Sequence, residues 1–85
     1  MLRDTVASMR LDAVTASLFR MSRAKAADAI RAGKVFVNQQ ECIRTDKEIA
    51  PHDRITLRGT GRGEVEEILG ESKKGRIVLS LKRFG

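Results

Sequence analysis

At 85 residues and 41% hydrophobic content, the chain has room for one domain, residues 1–85, around one small core, and is too apolar for a disordered tail. Seventeen Lys and Arg against eleven Asp and Glu give a net charge of +6, the balance of a nucleic-acid binder, with a generic basic surface as the competing reading. A single cysteine excludes an internal disulfide or a cysteine metal cluster, and no apolar run approaches the ~18 residues of a membrane helix.

The first segment, residues 3–8 (RDTVAS), suits either a short strand or a lead-in. From Leu11 the apolar positions Leu11, Val14 and Leu18 recur at helical spacing, which predicts a first helix over about residues 11–19. Arg20 and Met21 form a turn into Ser22, whose hydroxyl suits a helix N-cap. The second helix runs from about 23 to 32, with Ala26, Ala29 and Ile30 on one arc, and stops at Gly33, which can take the left-handed conformation. Alanine on the buried arc implies close approach to a neighbouring element.

After Gly33 the period changes from helical to extended. Val35 and Val37 alternate with Phe36 and Asn38 in a strand, residues 39–41 make a turn, and Ile43 begins a short return strand. Pro51-His52-Asp53 marks a turn before a strand over 54–58. Residues 59–63 (GTGRG) read as a flexible connection, 64–69 as a strand, 70–75 as a polar turn and 76–81 (RIVLSL) as the strongest strand. The fold class is α+β: two N-terminal helices packed on a small, mostly antiparallel sheet of about four to five strands.

Charge is unevenly spread. Residues 1–34 carry seven basic and three acidic groups, residues 35–53 two and four, and residues 54–85 eight and four. Two basic regions flank an acidic middle, and a fold that brings the two together would make one cationic face. The stretch 20–38 concentrates the signal. Arg20, Arg23, Lys25, Arg31 and Lys34 cluster around a capped helix start that itself favours anions.

Catalytic chemistry finds no foothold. Hydrolysis needs a nucleophile with a base, or paired carboxylates in a cleft. His52 falls in a turn and reads as solvated; Cys42, beside Ile43, reads as a small half-buried hydrophobe. Glu64, Glu66 and Glu67 read as a solvated sheet face. The glycines 59, 61 and 63 match neither the dinucleotide fingerprint nor the Walker loop, although Arg62 among them could touch a phosphate. The expectation is no enzyme, no cofactor, no metal, no small-molecule substrate and no membrane partner. With only Phe19, Phe36 and Phe84 as aromatics, and Phe19 and Phe36 read as core or interface, base stacking is expected to be minor, leaving shape and phosphate contacts.

Arg10-Leu11-Asp12, then Ser22-Arg23 followed by Ala26 and Ile30, then Gly33, Val35, Val37 and Asn38, resemble the S-four (S4) RNA-binding domain over roughly residues 10–58. Residues 58–85, with RGTGRGEV and KKGRIVLSLKRFG, resemble the C-terminal end of YlmH-type and photosystem II S-four-domain proteins, which implies an excised C-terminal domain of a longer chain. The resemblance implies a non-catalytic module for structured RNA, with ribosomal RNA, tRNA and a ribosomal subunit as partners, while the lone Cys42 makes a reducing cytoplasm the simplest location. It nominates Arg10, Ser22, Arg23, Lys25, Lys34 and Asn38 as RNA-binding; Arg20 and Arg31 join them from charge and position. Ser22 serves either as a cap alone or also as a phosphate contact, and Arg10 with Asp12 could instead form an ion pair that positions the first helix. Two departures stand out: the family often has glycine after the asparagine, where this chain has Gln39, and Gly-Asp where this chain has His52-Asp53. The alternative is a protein-interaction or targeting domain of a larger protein.

Overall fold

The structure, a computed structural model, describes residues 2–84. A six-stranded antiparallel sheet carries two helices: β1 (Leu2–Val6), α1 (Leu11–Phe19), α2 (Arg23–Arg31), β2 (Val35–Val37), β3 (Gln40–Glu41), β4 (Arg54–Leu57), β5 (Gly61–Glu71) and β6 (Ile77–Phe84). The strand order is β1-β6-β5-β4-β2-β3, so the first strand pairs with the last, Leu2 opposite Leu81 and Val6 opposite Ile77. The α+β class holds, with β1 and β3 raising the strand count above the expected four to five.

Strand alternation builds the core. Val35, Val37, Ile55, Leu57, Val65, Leu79 and Leu81 are all buried, facing Leu11, Val14 and Leu18 of α1 and Ile30 of α2. Each such side chain removed from water contributes about 1.5–3 kcal/mol. Gly63 in β5 marks the tightest packing: a Cβ there would lie 2.7 Å from Leu18 Cδ1 and 2.7 Å from the Lys82 carbonyl oxygen. The glycine therefore lets α1 sit directly on the sheet.

Both helices end the same way by different residues. At the end of α2, Gly33 takes φ 77°, its N–H donates to Ile30 O and the Lys34 N–H donates to Ala29 O. At the end of α1 the left-handed position is filled by Arg20 at φ 54°, and the Met21 N–H donates to Ala16 O. The helix starts differ as well. The Leu11 and Asp12 amides donate to Lys47 and Thr45 carbonyls of the 42–53 segment, which is anchored by the buried Ile49. At α2, Ser22 Oγ accepts from the Lys25 amide at 3.1 Å, and the Arg23 and Ala24 amides make no hydrogen bond among the described residues.

Three local expectations are corrected. The return strand begins at Gln40, not Ile43, because Asn38 and Gln39 both adopt left-handed φ (51° and 72°) and reverse the chain in two residues. Ile43 is left 61% exposed. The turn read over 39–41 is accordingly tighter and earlier. In the 59–63 segment only Gly59 and Thr60 turn; Gly61, Arg62 and Gly63 pair with Leu57, Thr56 and Ile55 as the start of β5. The two departures from the family's glycine, Gln39 and His52 (φ 75°), both occupy left-handed positions, so the turn geometry persists without the residue that adopts it most easily.

Candidate nucleic-acid interface

The corner where α1 meets α2 is organised by one buried carboxylate. Asp12 accepts from the Ala13 amide at 2.8 Å and from Arg10 through two nitrogens, each at 3.3 Å. It also accepts from Arg23 Nη2 at 3.2 Å. The Arg10–Asp12 ion pair considered from sequence is present, and Arg23 extends it across the two helices. That second bond was hidden from sequence reasoning, since the partners lie eleven residues apart on different elements. Asp12 is almost fully buried while both arginine side chains stay about half exposed. A guanidinium has five N–H donors, so each arginine is oriented by Asp12 with donors left over for a planar oxyanion.

Beside this pair lies an open groove of about 540 Å³ between β1, α1 and the start of α2. Arg20, Ser22 and Arg23 line it, with Arg76 arriving from the start of β6. Arg76 is held in place by donating to Thr5 Oγ1 and to the Thr5 carbonyl, each at 3.0 Å. The walls include the small residues Ala7, Ala13, Ala16 and Ser17, which let a ligand approach the backbone closely. Asp4 is the one carboxylate lining the groove, and it accepts a hydrogen bond from Ser17. Arg76 was missed from sequence; the only signal for it was the possibility that the two basic regions share a face, which Arg76 meeting Arg20 and Arg23 partly fulfils.

The remaining nominated residues scatter. Lys25 is exposed in the first turn of α2, next to the open amides. Arg31 sits six residues further on, about 9 Å along the helix, where it pairs loosely with Asp28 at 3.9 Å. Lys34 is exposed beyond Gly33, at the far end of α2. Asn38 is occupied within the fold: its Nδ2 donates to Asp53 at 3.0 Å and its Oδ1 accepts the Arg54 amide at 3.0 Å, clamping β2 to β4. Ser22 caps α2 and also lines the groove.

Arg20 combines position and strain. A non-glycine residue in the left-handed region costs about 1 kcal/mol or more. Arg20→Gly is expected to raise the thermal midpoint by a few degrees while weakening RNA binding severalfold. Thermal unfolding and a binding titration on the same variant check the two opposite signs. Among the described residues no group of three or more His, Cys, Asp or Glu is placed to hold a metal, and no helix is long and apolar enough to cross a membrane.

Over 80 residues, 94% of its length, the chain is 38% identical to ribosome-associated protein quality control protein P2 of Bacillus subtilis (strain 168) and spans 31% of that protein. A crystal structure of a pseudouridylate synthase matches with a TM-score of 0.57 and 26% identity, covering 66% of this chain and 26% of the other. The S4 domain model matches residues 9–55, more than half of the chain and the whole stretch from Arg10 through both helices to β4. The chain belongs to the S4 domain family.

Proposed function

We propose that this chain is a non-catalytic RNA-binding module that docks on structured RNA, ribosomal RNA first and tRNA beside it. Arg10, Arg20, Arg23 and Lys25 neutralise phosphates, Ser22 contributes its hydroxyl, and Arg76 extends the contact along the groove. Arg31, Lys34 and Asn38 lie at the margin of this footprint. The observation that carries the reading is the buried Asp12 holding Arg10 and Arg23 half exposed beside a groove lined by two further arginines. The name of the Bacillus subtilis relative supports a ribosomal partner and a cytoplasmic site of action.

Binding through four to five phosphates gives a slope of about −3 to −4 in log affinity against log salt. Affinity for ribosomal RNA is therefore expected to fall about 100-fold between about 50 and 200 mM salt. A flat titration overturns phosphate-led binding.

A second reading, docking to another part of a longer protein, is favoured by Ile68 and Leu69, which stand 45% and 42% exposed on the outer half of β5. Retention of ribosomes by the immobilised chain before but not after nuclease treatment supports the RNA reading. A protein partner that survives nuclease supports the other.

A further inference from the structure

The sheet has a second cationic face, turned away from the helices. Antiparallel partners point to the same side, so Phe36, Thr56, Arg62 and Phe84 form one row across β2, β4, β5 and β6. Arg54, Glu64 and Lys82 form the neighbouring row. Both phenylalanines are half-buried rather than enclosed, unlike Phe19, which is in the core. Four of the cations gather on the rings: Arg54, Arg62 and Lys82 lie 5.6, 6.0 and 5.4 Å from the Phe84 centroid, and Arg58 lies 6.0 Å from that of Phe36. Arg54 is paired with Glu64 at 3.2 Å, whereas Arg58, Arg62 and Lys82 make no ion pair among the described residues. A depression of about 240 Å³ bounded by Gln39, Arg54, Thr56, Arg62 and Phe84 lies on this row.

We propose that this face is a second RNA site, which takes a single-stranded segment by stacking bases on Phe84 and Phe36 with its phosphates over Arg62 and Lys82. Single-strand binders combine this pairing of sequence-tolerant aromatic platforms with an unpaired cationic track. Bases also stack on guanidinium planes, so the arginines around each ring widen the platform. Three strand intervals separate the two rings, about 14 Å, which suits bases separated along an extended strand rather than one continuous stack. The excess of unpaired cations favours a polyanion over a protein surface. The face shares no residue with the helix corner, so the two sites are separable by mutation.

The test uses the 85-residue chain and hexauridylate. The sequence has no tryptophan, so Phe84→Trp supplies a sole reporter whose emission is expected to be quenched as hexauridylate stacks on it. Phe84→Ala is expected to weaken hexauridylate binding about tenfold, and Lys82→Glu, at an exposed position, severalfold. Both are expected to leave binding of structured ribosomal RNA within about twofold of the parent. Variants at Arg23 and Lys25 give the converse, so failure of one site is distinguishable from failure of the other. Unquenched Phe84→Trp emission at millimolar hexauridylate, or parental affinity in both Phe84→Ala and Lys82→Glu, overturns the proposal. So does a Phe84→Ala chain that keeps hexauridylate but loses a nuclease-resistant protein partner, which assigns the face to protein.

Discussion

Replacing Arg23 by Gln and Lys25 by Glu together is expected to lower affinity for ribosomal RNA by about 100-fold or more at physiological salt. The slope of log affinity against log salt should become shallower by about two, one for each phosphate contact removed. The choice of substitution matters. Reversing Arg23 to Glu would set a second carboxylate against the buried Asp12, where an unpaired charge costs stability and a binding loss could reflect damage to the corner. Glutamine keeps an N–H donor for Asp12 while removing the charge, and Lys25 has no bonded partner to lose beyond its backbone contact with Ser22. Circular dichroism should therefore match the parent. A folded variant that binds ribosomal RNA with the parental slope would remove the start of α2 from the interface.

A large stability effect is expected at Gly63. Alanine there drives a methyl group to within 2.7 Å of both a Leu18 methyl and the Lys82 carbonyl. Leu18 is buried and the carbonyl belongs to a strand paired on both sides, so neither moves freely. Overpacking of this kind costs about 1–3 kcal/mol, which lowers the melting temperature of a chain this size by roughly 5–20 °C. Valine should cost more. Combining Gly63→Ala with Leu18→Ala is expected to destabilise less than the two singles added together, because the shortened side chain frees part of the space. Strict additivity in thermal or urea unfolding would show that the crowding lies against the strand alone.

Gly63 also explains why the sheet was only partly legible from sequence. Three glycines in five residues carry the local signature of a connection, and nothing nearby in the chain reveals that one of them exists to admit Leu18 from a distant helix. The helices were legible because their signals are local: the Ser22 cap, the Gly33 stop and apolar residues at helical spacing all act within a few residues. The Val35 and Val37 alternation likewise declared β2. The Asn38–Gln39 turn was misplaced because Gln39 is a poor residue for the conformation it holds, and β1 was undecided because its partner lies at the other end of the chain. At the candidate site, residue types were visible but their grouping was not. Arg10 with Asp12 is a neighbour relation, whereas the Asp12–Arg23 bond and the arrival of Arg76 require the fold. Asn38, nominated for RNA, spends its amide on Asp53 and Arg54.

The pairing of the first strand with the last also sets an order of events during synthesis. Leu2–Val6 is made before Ile77–Phe84 and has no strand to join until that strand has followed. A chain not yet made as far as Arg76 lacks the guanidinium that ties Thr5 to the groove. The groove is thus complete only once β6 has joined β1 and brought Arg76 to Thr5.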